Sequence, residues 1–276
     1  MISLVSLTLV LTATQPAWHT DYGRARAQAI QDKKDLLIYF RDDAGRLEEV
    51  LADPEVRKAL GRYVCLRVPE SYQLNSKRLL DYDALGEMMG KPGLAVVSYH
   101  DKQLPFHEEV ISAHALVASH YGWVPDYGVA QVKAILDLPP KATLSQRSMM
   151  YAVCVHPEQP RSVHGHCHPA FLGHAQRHSV RQAEMRHQHH ADIIASSSHL
   201  QSEVGEAIGG ASEVVAESWG RVVGGENVLE AAFSCVDAWR HSSGHWGAVS
   251  RAHRYFGYDI ARGANDTWYA TGIFAD

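Results

Sequence analysis

The chain has 276 residues and a formal charge of −5, with acidic and basic residues mixed along its length. No basic stripe is present, which argues against a nucleic-acid partner. The length suits two ordinary domains, and an apolar content of 46% lets each bury a core.

Residues 1–17 open with the apolar run Met-Ile-Ser-Leu-Val-Ser-Leu-Thr-Leu-Val-Leu. This is about as long as the core of a signal peptide and too short to span a bilayer. A secreted or periplasmic protein is therefore expected. The run lacks a positively charged start, so a first β-strand of a cytosolic protein is the alternative. No other stretch of the sequence reads as a transmembrane segment.

Trp18, Tyr22, Ala25 and Ala29 recur at helical spacing and predict a helix ended by Lys33-Lys34-Asp35. Asp35 to Arg41 is a short apolar run that predicts a central strand. Leu47, Val50 and Leu51 start a helix, which Asp53-Pro54 interrupts and Val56 and Leu60 continue. Strands are expected at Tyr63–Val68 and Gly93–Tyr99, and a helix at Val129–Leu138. Alternating elements of these lengths imply an α/β layer fold.

Pro139 and Pro140 stop that helix and stiffen the exit. The best boundary is thus a linker at 139–143, between a domain at 18–138 and another at 144–276. In the second, Leu144–Val155 reads as a helix stopped by His156-Pro157. Pro169 opens a helix that runs to about His190. Asn227 with Glu230 three residues later is a capping-box-like start. Leu229, Ala232, Phe233, Val236 and Trp239 then share one helical face, and Gly244 lies just past its end. Tyr255–Ala261 and Trp268–Phe274 read as strands joined by a turn at 263–266.

The four cysteines, Cys65, Cys154, Cys167 and Cys235, form no Cys-x-x-Cys pair. Cys65 reads as a small core residue of a strand. The spacing of the other three permits a disulfide but does not require one. Histidine is the unusual feature: 18 residues, ten of them between His156 and His199. His164, His166 and His168 alternate around Cys167 on a loop, a composition that can bind metal but is not pre-organised. His174, His178 and His187 read as solvated helix residues.

The strand Leu36–Phe40, the segment Val50-Leu-Ala-Asp-Pro-Glu-Val56 and Lys91-Pro92 before a strand make the first half resemble the thioredoxin-like superfamily. That resemblance implies a cis bond at Pro92 and a redox pair after the first strand. Asp42-Asp43-Ala44-Gly45-Arg46-Leu47 stands at that place instead. Disulfide exchange needs a thiolate, so the half is expected to be redox-inactive, with a binding or structural role. Asp42 and Asp43 read as helix-start charge rather than a metal site.

Ala238-Trp239-Arg240-His241-Ser242-Ser243-Gly244-His245 is similar to the Trp-x-x-Ser-Pro-Gly-His segment of the CAP superfamily. Phe256-Gly257-Tyr258-Asp259-Ile260 resembles its Gly-x-Gly strand, with Asp259 for the second glycine. Val215-Ala216-Glu217-Ser218 occupies the place of its Gly-Glu-Asn segment. The resemblance implies an α-β-α sandwich with a cleft that can hold a divalent metal such as zinc. It carries over to His190, Glu217 and His245 as ligand-binding and metal residues, with His189 or His187 as alternatives for His190. A second cleft glutamate has no match, Ser242 standing about where it would fall.

Together these imply an exported binding or interaction protein. The CAP-like cleft takes a ligand or divalent metal, and the thioredoxin-like half docks a protein partner. The alternative is a metal-assisted hydrolase with its water at His190, Glu217 and His245. Ser243 is near His245 in sequence, which by itself makes no triad.

Overall fold

The computed structural model describes residues 17–191, 193–205, 207–218 and 227–276, with side chains undescribed at 193–196. Apart from Ala17, the expected signal segment lies outside the described residues.

The protein is α/β, built on two sheets. The first half runs β1 (Trp18–His19), α1 (Tyr22–Asp32), β2 (Leu36–Arg41), α2 (Glu48–Ala52), α3 (Pro54–Leu60) and β3 (Val64–Pro69). A small hairpin, β4 (Gln73–Leu74) and β5 (Lys77–Arg78), and two 3-10 turns follow. Then come β6 (Gly93–Val97), β7 (Val110–Ala115) and α4 (Val129–Asp137). The strand order is β1-β3-β2-β6-β7. β3 runs parallel to β1 and β2, while β6 is antiparallel to both β2 and β7.

β2 is apolar on both sides because both are covered. Leu37 and Tyr39 face one core cluster, and Leu36, Ile38 and Phe40 face another that includes Ala25 and Ala29 of α1. Trp18, expected in the first helix, lies in β1 opposite Cys65. Asp21 explains the break: its carboxylate accepts the Arg24 N–H at 2.8 Å and caps α1. The Trp18 ring instead packs under the Arg67 guanidinium, 4.6 Å away.

No cis peptide bond occurs among the described residues, so Pro92 is trans and that expectation is corrected. The chain reverses here through Met89 at φ 53° and Gly90 at φ 65°. Gly93 follows at φ 150°, where a Cβ would meet the His114 carbonyl oxygen at 2.1 Å. Strand β7 was not expected from the sequence. Its Ser112 and His114 are polar, yet both are buried. Burial pushes the His114 imidazole down to about 3, so it packs as a neutral ring 4.5 Å from Tyr151.

The second half runs α5 (Leu144–Cys154), β8 (His166–Cys167), α6 (Pro169–Met185), α7 (Ile193–Val204) and β9 (Ser212–Glu217). It ends with α8 (Val228–Arg240), α9 (Ser243–Ser250), β10 (Tyr255–Arg262) and β11 (Trp268–Ala275). The strand order is β8-β10-β11-β9. Alternation splits the hairpin between two helical layers. Phe256, Tyr258, Ile260, Trp268, Ala270 and Phe274 join the cluster with α5 and α8. Tyr255, Ile273 and Ala275 join Phe171 and Ala175 of α6 and Leu200 of α7. The result is an α-β-α arrangement. Gly257 lets α6 lie close, since a Cβ there would sit 2.3 Å from the Phe171 carbonyl carbon.

One helix of this half ends earlier than expected. α6 stops at Met185 because Arg186 adopts a left-handed conformation and closes on the Gln182 and Ala183 carbonyls. Residues 187–191 therefore leave the helix. Gly244 lies past the end of α8, as expected, and within the short helix α9 that follows. All four cysteines are free thiols.

The two sheets fall on either side of 139–143, but the halves share a core. One buried cluster runs from Leu37 and Val96 through Tyr151 to Phe233 and Phe274. Arg147 of α5 is buried at the join. Its guanidinium donates to Ser112 Oγ at 2.7 Å and to the carbonyls of Ile135, Leu138 and Pro139 at 3.0–3.3 Å. It thereby satisfies carbonyls at the C-terminal end of α4 that no helical N–H can reach.

Candidate ligand cleft

Helix α8 begins where Asn227 Oδ1 accepts the Glu230 N–H at 2.9 Å. Glu230 does not complete the box. Its carboxylate accepts instead from Ser119 Oγ and the His120 N–H, both at 3.2 Å, on the first half. Glu87, also of the first half, accepts the Val228 N–H at 2.7 Å. The start of α8 is thus held from the first half. Leu229, Ala232, Phe233, Val236 and Trp239 are buried, as the helical spacing requires. Asp237 and His241 lie along the same helix and line a cleft.

That cleft has a volume of about 620 Å³ and runs beside β9, the outer strand of its sheet. Its lining includes Glu217 from β9, Ser242 and His245 at the start of α9, and Tyr121 from the first half. The Trp246 indole N–H donates to Glu158 at 2.8 Å and anchors α9 next to His245. Trp123 braces the cleft wall at Asp237. Its indole N–H donates to Asp237 at 3.1 Å, and its ring lies against Phe233 and His156 at 5.5 and 4.7 Å.

The structure brings His245 and Glu217 into one lining and places His190 next to His245, ring centroids 5.7 Å apart. Burial, and the neighbouring His190, hold the His245 imidazole below the ordinary histidine pKa. The carboxylate on His190 is that of Glu213, Nδ1 to Oε2 at 3.2 Å, and not that of Glu217. Glu213 went unnoticed in the sequence. The structure explains its place: residues 213, 215 and 217 of β9 share one face, so Glu213 stands on the side of Glu217, but no strand was expected there.

The alternatives to His190 lie on the same segment. The His189 N–H donates to Gln182 Oε1 at 3.2 Å, and the His189 carbonyl accepts from His178 Nε2 at 2.8 Å. His187 is exposed and stacks on His189. His178, expected in solvent, is buried on the inner face of α6 among Ala175, Ser179 and Gln182. His174 is half-buried, and burial pushes it down to about 4.

The loop histidines are spread over different tasks. His168 Nδ1 caps α6 by accepting the Ala170 N–H at 3.2 Å. His164 and His166 line a second cavity of about 770 Å³ with Cys167 and Met150. Among the described residues, no three His, Cys, Asp or Glu side chains are gathered to hold an ion. A closed structural zinc site with four protein ligands does not fit here. His190 and His245 stand as a pair of imidazoles, ring centroids 5.7 Å apart, with no third ligand gathered beside them among the described residues.

Comparison with family models, with curated proteins and with solved structures finds no match to this chain.

Proposed function

We propose that the protein is an exported binding protein whose ligand enters the cleft beside β9, with His190 and His245 at hand for a divalent cation or a polar group. The observation that carries this reading is the cleft itself. It has the size of a small-molecule site, and its walls come from both halves of the chain. The α-β-α layering and the segment from Trp239 to His245 support a CAP-like second half. In the first half, the parallel pairing of β2 with β3 and the absence of a thiol between Asp42 and Leu47 support a thioredoxin-like unit that docks rather than reacts. Export rests on the apolar run at 1–17.

The test is zinc titration calorimetry on full-length protein prepared without an immobilised-metal column. One ion per chain is expected, and His245→Ala should weaken binding more than His166→Ala. Protons compete with metal for imidazole, so affinity should fall with pH. For His245 that fall sets in below about 6.5, the ordinary histidine value. Equal losses from the two substitutions would move the site to the loop histidines and refute the cleft.

A further inference from the structure

We infer that Glu213 is the positioning carboxylate of the cleft: it holds His190 as the Nδ1–H tautomer and leaves the Nε2 lone pair facing outward beside His245. The inference deepens the binding reading above and rests on it for the nature of the ligand.

Glu213 Oε2 lies 3.2 Å from His190 Nδ1 and also accepts the Ala191 N–H at 2.9 Å. An ionised carboxylate only accepts, so Nδ1 must carry the hydrogen. In a neutral imidazole, the other nitrogen then holds a lone pair. The His190 side chain is 57% exposed; it is not itself in the cleft lining, but its ring lies beside His245, which is.

The Glu213 side chain is only 2% exposed. A carboxylate this buried needs donors, and its second oxygen, Oε1, has no hydrogen-bond partner. Oε1 stands 3.6 Å from His178 Nε2, whose hydrogen goes to the His189 carbonyl. Glu213 thus keeps unspent acceptor capacity among the histidines that fix residues 187–191. A carboxylate behind a ligating histidine sets its tautomer and raises its basicity, and losing such a partner typically costs 10–100-fold in metal affinity.

Glu217 cannot take this role in place of Glu213. The two stand four residues apart on β9, roughly 13 Å between Cα atoms at 3.3 Å per residue. The Glu213 end of the strand meets His190, and the Glu217 end lines the cleft.

The test is a long-range proton–nitrogen correlation spectrum of the metal-free, full-length protein near pH 8, with His190 assigned through His190→Asn. The wild type should show a protonated Nδ1 and an unprotonated Nε2, the reverse of the usual tautomer of solvated histidine. Glu213→Ala should return His190 to the Nε2–H form and weaken zinc binding 10–100-fold. Glu213→Gln keeps the volume and one acceptor oxygen, and should restore most of the tautomer. A wild-type His190 that is mainly Nε2–H overturns the proposal without any variant. So does an unchanged tautomer in a folded Glu213→Ala protein. If the tautomer behaves as expected but zinc does not bind, the positioning role stands and the cation reading fails.

Discussion

Asp259 gives a prediction whose sign and size follow from its surroundings. It replaces a glycine of the resembled motif in the middle of β10, and it is buried. Oδ1 accepts the Ser145 hydroxyl at 2.7 Å and Oδ2 accepts the Ser179 hydroxyl. Burial outweighs these neutral donors and pushes the carboxyl up to about 6. A carboxyl raised in the folded state stabilises the fold below the unfolded value of about 3.9, and that stability is lost as pH rises through about 6. The rise corresponds to about 3 kcal/mol, at roughly 1.4 kcal/mol per tenfold. Asp259→Asn does not titrate. Its stability relative to the wild type should therefore improve by roughly 2.5 kcal/mol between pH 4, where the unfolded carboxyl is already about half ionised, and pH 8. Urea unfolding of both proteins at several pH values measures this, because other carboxylates cancel in the difference. A difference that stays flat to within about 0.5 kcal/mol would refute the claim that burial dominates at Asp259.

Further outcomes are expected. Arg147→Ala should cost at least about 3 kcal/mol, because it leaves Ser112 Oγ and the carbonyls at the end of α4 without their donor at about 1–3 kcal/mol each, and the wild type should unfold in one transition by near- and far-ultraviolet circular dichroism. Separate transitions for the two halves would show that the shared core does not couple them. Burial pushes the Cys65 and Cys167 thiols up to about 12. Their alkylation in the native protein at neutral pH should be about a thousandfold slower than in the urea-unfolded chain. Insulin should not be reduced, and turnover by the native protein would contradict a redox-inactive first half.

Much of the fold was legible because period and punctuation agreed. The run from Leu36 to Phe40, the break at Asp53-Pro54, the cap at Asn227 and the turn at 263–266 each combine a hydrophobic pattern with a residue that fixes a boundary. The misses share a cause, which is that tertiary partners decided the outcome. Trp18 kept helical spacing with Tyr22, but pairing with β3 and the Asp21 cap put it in a strand. β7 was hidden because Ser112 is polar in isolation and acceptable in a core only with Arg147 donating to it. At the site, His245 was legible from its motif. Glu213 was not, because its role depends on α6 ending at Arg186 and returning His190 to β9.

The join between the halves bears directly on the cleft. Tyr121 lines it, and Trp123 holds Asp237 while wedged against Phe233 and His156. Ser119 and His120 hold Glu230 one turn into the same helix. Helix α8 therefore carries the grip of the first half and the cleft wall on the same face, Glu230 and Asp237 recurring at helical spacing with Ser234. The bonds from Ser119, His120 and Trp123 fix Glu230 and Asp237, the latter within the cleft lining itself. The loop at Asp42 to Leu47, where a thiol pair would react, takes no part in these bonds. The grip on α8 is thus a role for the first half that needs no redox chemistry.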